Sequence, residues 1–240
     1  MELSKRLFAV ASMVSPGAKV ADIGCDHGYV AIYLLKHRQA KRVIAMDVNA
    51  GPLERAKEHI EREGLQAYIE TRLSDGASAL MPEETDTVVI AGMGGRLMVR
   101  ILSEGIARLG RWKELVLQPQ SEIFKVREYL WEIGYQICQE DMVFEDGKYY
   151  QIIKAVAAEE TIEMTDEDTV SRAAKAFYGP CLLQESHPVC MEYLKREETN
   201  YQEIKKHIIQ QNAGEKSTKR LQEIDLQLQI LETARKSGGV

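Results

Sequence analysis

Apolar residues recur at spacings of three and four over residues 3–14, where Leu3, Leu7, Val10 and Val14 share one face of a predicted helix. Ser15-Pro16-Gly17 interrupts that pattern. From there the period alternates between strand and helix. Strand-like runs fall at 19–23, 42–47, 67–72, 87–91 and 114–118, and helix-like runs at 29–38, 52–63, 95–109 and 121–133. Pro52 suits a first helical turn, and Gly64 and Gly134 suit helix ends. This alternation predicts a parallel sheet with right-handed crossovers. Residues 135–144 and 148–156 then read as consecutive strands around the tight turn Glu145-Asp146-Gly147, so the sheet should close on an antiparallel hairpin. Residues 157–170 turn acidic and weakly periodic, as a hinge would. Beyond them Leu194, Tyr201, Ile204 and Ile208 line one helix face, and Leu221, Ile224, Leu228 and Leu231 another, with residues 212–217 as the turn. That spacing predicts an antiparallel coiled-coil hairpin docked on the first domain. The expected division is a Rossmann-like domain over 1–157 and a helical domain over 158–240.

The sharpest local signal ends the first strand run, in Asp22-Ile23-Gly24-Cys25-Asp26-His27-Gly28-Tyr29. Gly24 permits a sharp turn, and Gly28 lets the next helix start close to a ligand. A dinucleotide fingerprint would carry its second glycine where Asp26 stands. A carboxylate 4 Å from a phosphate costs about 1 kcal/mol in water and several at a protein-like dielectric. S-adenosyl-L-methionine has no phosphate and carries a sulfonium and an ammonium, so Asp22 and Asp26 suit it and oppose a nicotinamide dinucleotide. Asp47 ends the second strand run, where a carboxylate accepts ribose hydroxyls. Ser74-Asp75-Gly76 follows the third, with Asp75 placed for an adenine amino group. Acidic residues at successive strand C-termini fit the rule that open α/β sheets bind ligands along that edge. For Asp26 a plainer role stays open, capping the helix that follows.

After the fourth strand run comes Ala91-Gly92-Met93-Gly94-Gly95. It lacks the Asn/Asp-Pro-Pro-aromatic tetrad that enzymes methylating exocyclic amines often carry. Gly92 is assigned to the cofactor side. Met93, Gly94 and Gly95 make a low-relief surface for a flat base, with Met93 as soft packing, although a plain strand–helix turn would read the same way. Tyr29 is either a stacking partner for the base or a core aromatic. A dehydrogenase-type sheet would finish on another parallel unit. The closing hairpin therefore points to an α/β, Rossmann-like class I methyltransferase sheet followed by a small α-helical coiled-coil domain.

The net charge of −6 opposes a nucleic-acid partner unless local patches supply the cations, such as Lys36-His37-Arg38 with Lys41-Arg42, or Arg96, Arg100, Arg108 and Arg111. A methyltransferase for a protein or small molecule, and a non-catalytic module presenting its coiled coil, stay open on composition. The trio Asp26, Asp47 and Asp75 counts against the latter. Cys25, Cys138, Cys181 and Cys190 form no C-x-x-C pair and read as free thiols rather than metal ligands. With no signal-like start and no apolar run of membrane-spanning length, a cytoplasmic protein is expected, with no metal, membrane or obligate protein partner.

Ser4-Lys5-Arg6-Leu7, the Asp22–Tyr29 loop, Ala91–Gly95, Leu117-Gln118-Pro119, the Asp146-Gly147-Lys148 turn and the C-terminal coiled coil resemble the bacterial TrmK family, tRNA adenine-N1 methyltransferases that modify adenine 22. The resemblance spans nearly the whole chain and implies a tRNA partner, with Arg6 on the substrate side. It implies that Asp47, Gly28 and Gln120 tolerate Glu, Ala and Asn respectively. Adenine N1 has an in-plane lone pair and no proton, so its attack needs no dedicated base. The product is cationic, and Asp26 is the expected catalytic residue, stabilising the charge that develops. Because N1 faces the paired base in a duplex, the target nucleotide must be unpaired or flipped.

Overall fold

Val20, Val43, Val88 to Ile90 and Leu115 to Leu117 are all fully buried, as strands covered by helices on both faces require. The computed structural model describes residues 2–158, 168–210 and 215–237. Its elements are α1 (Lys5–Ser12), β1 (Ala18–Ile23), α2 (Tyr29–Lys36), β2 (Ala40–Asp47), α3 (Ala50–Arg62), β3 (Ile69–Leu73), β4 (Thr87–Gly94), α4 (Gly95–Leu109), β5 (Glu114–Ser121), α5 (Ile123–Glu132), β6 (Tyr135–Glu145) and β7 (Lys148–Ala157), then α6 (Thr169–Tyr178), α7 (Pro180–Gln184), α8 (Pro188–Gln210) and α9 (Glu215–Ser237). The sheet order is β3-β2-β1-β4-β5-β7-β6. Its first five strands run parallel, and β7 lies antiparallel to both neighbours. The β6–β7 turn holds Asp146 at φ 49° and Gly147 at φ 75°, the left-handed pair that a two-residue hairpin needs.

Chain order reverses between β1 and β4, and ligands of open α/β sheets bind at the strand ends beside such a point. The sequence predicts strand ends at 91 and 118, but β4 and β5 run on to Gly94 and Ser121. Gly92, at φ 82°, absorbs a shift in register, after which Met93 pairs with Pro119 and Gly94 with Ser121. The glycine run is thus bulged strand rather than free loop. Helix α1 is clamped at its start: Ser4 Oγ accepts from Leu7 N at 3.3 Å, and Glu145 from the β6–β7 hairpin accepts from Lys5 N at 2.6 Å. Beneath the hairpin, Arg127 of α5 is fully buried and donates to Glu140 Oε1 at 2.7 Å and Gln151 Oε1 at 2.5 Å.

The chain separates into two compact units, Met1–Ile162 and Glu163–Val240. Of the expected hinge over 157–170, residues 159–167 lie outside the described residues, as do 211–214 of the expected turn. The second unit holds α6 and α7 as well as the two long helices, and α9 packs on α6 and α7 besides α8. The helical domain expected over 158–240 thus contains two short helices, α6 and α7, that the apolar spacing did not show. Asp168 starts α6 by accepting from Val170 N and Ser171 N. Leu194, Ile224 and Leu231 are buried as the spacing predicts, whereas Ile204 is 41% exposed, so the seam is incomplete along α8.

Candidate functional site

The C-terminal ends of β1, β2 and β4, with the loop after β3, enclose a cleft of about 700 Å³. Gly24 and Cys25 donate their amides to the Met46 carbonyl at 2.8 and 2.9 Å, which folds the β1 loop back over the end of β2. Gly24 sits at φ 77°, and a Cβ there would lie 2.2 Å from the Met93 methyl, so Met93 covers the loop from the β4 side. Asp22, Gly24, Asp26, Tyr29, Asp47, Ser74, Asp75, Gly76, Gly92, Met93 and Arg6 all line the cleft.

Gly28, Gly94 and Gly95 are not among its lining residues, and each has a packing reason for lacking a side chain. A Cβ on Gly28 would meet Ala56 of α3 at 3.2 Å. One on Gly94 would meet Ser121 Oγ at 3.2 Å. One on Gly95 would sit 2.6 Å from the Ser121 carbonyl and 2.7 Å from that of Glu122. Of the run expected to offer a surface to a flat base, Gly92 and Met93 line the cleft.

The carboxylates differ sharply in environment. Asp22 is buried, and its Oδ2 has no hydrogen-bond partner among the described residues. Burial pushes its carboxyl up to about 7, opposed by the Ala31 backbone amide and assisted by the charge of Asp47. Burial likewise pushes the neighbouring Cys25 thiol up, keeping it neutral, and none of the four cysteines is in a disulfide. Asp47 accepts from Asn49 N at 2.8 Å and from Asp26 N at 3.4 Å, so it organises both loops beside it. Ser74 Oγ donates to the Gly76 carbonyl and accepts from Ala79 N, which makes it a builder of its own loop. Asp75 is ion-paired with Arg100 at 3.1 Å.

Asp26 does not cap α2. The N-cap position is Gly28, with no side-chain hydrogen bond, and the Asp26 side chain is 68% exposed. Its neighbours are His27 Nε2 at 3.6 Å and Arg55 at 4.0 Å. Its φ of 48° is a conformation that Asp and Asn accept more readily than other side chains. Tyr29 joins a stack with His27 and His59, at centroid separations of 5.3 and 5.4 Å.

Sequence reasoning did not assign His27, Asn49, Arg100 or Gln120, all of which line the cleft. Gln118, noted only within the family resemblance, is fully buried and accepts from Arg6 Nη1 at 2.8 Å and Gly92 N at 3.1 Å. The missed signal was positional: β5 is the neighbour of β4, and its end carries Gln118-Pro119-Gln120 where the acceptor run ends. Among the described residues no helix is long and apolar enough to cross a membrane, and no cluster of side chains suits a metal ion.

The profile of the tRNA (adenine(22)-N(1))-methyltransferase family, TrmK, matches residues 20–233. The chain is 33% identical over 231 residues to the tRNA (adenine(22)-N(1))-methyltransferase of Bacillus subtilis, covering 96% of each chain. It superposes on the crystal structure of B. subtilis TrmK with a TM-score of 0.85 at 32% identity, covering 98% of this chain and 99% of the other. A Streptococcus pneumoniae protein solved in complex with S-adenosyl-L-methionine matches with a TM-score of 0.82 at 31% identity, covering 98% of this chain and all of that one. A seven-stranded mixed sheet, a cleft of aspartates at its switch point and these full-length similarities together place the chain in the tRNA (adenine(22)-N(1))-methyltransferase family.

Proposed function

We propose that this chain transfers the methyl group of S-adenosyl-L-methionine to N1 of adenine 22 in tRNA, with the cofactor held in the Asp22–Asp47–Asp75 part of the cleft and the base brought to its Gly92–Met93 side. The observation that carries the reading is the bare, buried Oδ2 of Asp22 beside a glycine turn. A buried acceptor without a partner is costly, by about 1–3 kcal/mol, and the cofactor's ammonium is a donor that would satisfy it. Bound there, the cofactor supplies an electrophilic methyl group on a sulfonium.

The chain's own residues have three tasks in this reading. Asp47 accepts the ribose hydroxyls while its bonds to Asp26 N and Asn49 N keep the two loops in register. Asp75, oriented by Arg100, faces the purine amino group. Asp26 faces the acceptor with its charge largely solvated, and it stabilises the positive charge that arises on the base. No residue need remove a proton, since N1 carries none. Tyr29 and Met93 offer an aromatic edge and a soft thioether to the base.

We assign the α-helical unit, with its α8–α9 pair, to tRNA placement rather than chemistry, since every cleft-lining residue precedes Ser121. A tRNA substrate puts the reaction in the cytoplasm. The decisive experiment is transfer of labelled methyl from S-adenosyl-L-methionine to unmodified tRNA, with mapping of the product base. N1-methyladenosine at position 22 is expected. Transfer to a protein or small molecule but not to tRNA would overturn the reading.

A further inference from the structure

Two arginines line the cleft, and the fold treats them differently. Arg100 is ion-paired with Asp75. Arg6 is half-buried, and no carboxylate lies within 4.0 Å of its guanidinium among the described residues. A neutral group holds it instead. Gln118, fully buried, donates through Nε2 to the Pro119 carbonyl at 3.2 Å, which fixes the orientation of its amide. Its Oε1 then accepts three hydrogen bonds: from Arg6 Nη1 at 2.8 Å, Gly92 N at 3.1 Å and Gln120 Nε2 at 3.2 Å. The Arg6 guanidinium also lies 5.5 Å from the Tyr150 ring centroid. A carboxylate in place of Gln118 would hold the guanidinium as well but cancel its charge. An amide holds it and leaves the full charge for something else.

We infer that Gln118 is a positioning residue that holds the Arg6 guanidinium at the Gly92 end of the cleft as a receiver for a ligand oxyanion. The inference rests on the proposed function. Two oxyanions can reach that end, the carboxylate of the cofactor's amino-acid group and a phosphate of the RNA, and both would dock on the free nitrogens of Arg6. The carboxylate would make Arg6 the counterpart of Asp22, with one group for each charge of an amino-acid zwitterion.

The test uses the full-length chain with Arg6→Gln, Gln118→Leu and the double variant. Binding of S-adenosylhomocysteine and of 5′-methylthioadenosine, which lacks the amino-acid group, is measured by calorimetry, and tRNA binding is measured across salt concentrations. If the carboxylate is the ligand, S-adenosylhomocysteine weakens about tenfold or more in each single variant while 5′-methylthioadenosine is unchanged. If a phosphate is the ligand, tRNA affinity drops, and the slope of its logarithm against log salt falls by about one. In both cases the double variant loses no more than the weaker-binding single variant, because both act through one guanidinium. Additive losses, or unchanged binding of both ligands in Gln118→Leu, would overturn the inference. Should Gln118→Leu fail to fold, Gln118→Glu decides. It keeps an oxygen for Arg6 but neutralises its charge, so oxyanion binding should fall in protein that a melting curve shows to be folded, and unchanged binding there overturns the inference. Wild-type protein that binds neither ligand would refute the proposed function as well, whereas wild-type binding with indifferent variants refutes this inference alone.

Discussion

Replacing Asp22 with Asn and following protons during cofactor binding tests the electrostatics on which the site reading depends. The carboxyl is pushed from the ordinary 3.8 up to about 7, chiefly because it is buried. The sign follows from linkage: the folded state holds a proton that the unfolded chain has released. Stability of the ligand-free protein therefore falls as pH rises from about 4 to about 7, and the full penalty is present above that. At about 1.4 kcal/mol for each pH unit, the penalty on the ionised form is about 4 kcal/mol. A cation placed at the bare Oδ2 removes the reason for protonation, so ligand binding should expel the proton. A group titrating near 7 releases about half a proton on ligand binding at pH 7 and close to one at pH 6, and almost none well above pH 8.

Calorimetric titration with S-adenosylhomocysteine in buffers of different ionisation heat measures that number directly. In Asp22→Asn the release should vanish, the ligand-free protein should melt higher than wild type at pH 8, and S-adenosylhomocysteine should bind more weakly there. The variant also subtracts any protons contributed by the ligand or by other groups. A wild-type release near zero at pH 6, or an equal release in the variant, would refute the placement of the ammonium at Asp22.

Asp26→Asn keeps the side chain's size and its tolerance of the left-handed backbone, so single-turnover methylation of tRNA should slow roughly 100-fold with little change in affinity. A rate within threefold of wild type would remove its charge from the chemistry. Gly95→Ala places a methyl group against two β5–α5 carbonyls and should cost about 1–3 kcal/mol of stability. An unchanged melting temperature would mean that these carbonyls do not require a glycine at 95. Arg127→Ala strands Glu140 in the core and should cost about 3–5 kcal/mol in denaturant unfolding. Loss of less than about 1 kcal/mol would mean that the pair is dispensable.

The sheet was legible in the sequence because its signals are local and redundant. Runs such as Val88-Val89-Ile90 have no stable place except a strand buried on both faces, and Asp146-Gly147 specifies a two-residue turn without help from the rest of the chain. The places of Asp22, Asp47 and Asp75 on the cleft were legible for the same reason, since each lies at or just after the end of a strand run. Helices α6 and α7 were missed because they are short and begin next to an acidic stretch that resembles a linker. The packing of Gly28, Gly94 and Gly95 was hidden for a different reason. A glycine that admits a ligand and a glycine that admits a neighbouring backbone look alike in one dimension. Only the nearest atom separates them, Met93 for Gly24 and the Ser121 carbonyl for Gly95.

Charge shows the same limit more strongly, and it bears on how an acidic chain handles RNA. The sequence displays clusters of cations, but the fold commits most of them. Lys36 is bonded to Glu63, Arg42 to Glu70 and Arg96 to Glu122, all within 2.8 Å. Arg108 and Arg111 are bonded to backbone carbonyls and so serve the domain's own structure. These groups are poor measures of RNA affinity, because a phosphate would have to compete with partners already in place. What distinguishes a working charge here is the lack of an opposite charge beside it. Asp22 Oδ2 is bare, and Arg6 rests on a neutral amide. Arg6 keeps its charge at the cleft, and Asp22 gains its own in full only when a cation arrives at Oδ2 and the proton leaves. The sequence marked Asp22 as a site residue, but neither its missing partner nor the neutral partner of Arg6 could be read from composition or spacing. Their distinction arises from β1, β4 and β5 meeting at the switch point, where the sheet buries one carboxylate and offers a glutamine to one arginine.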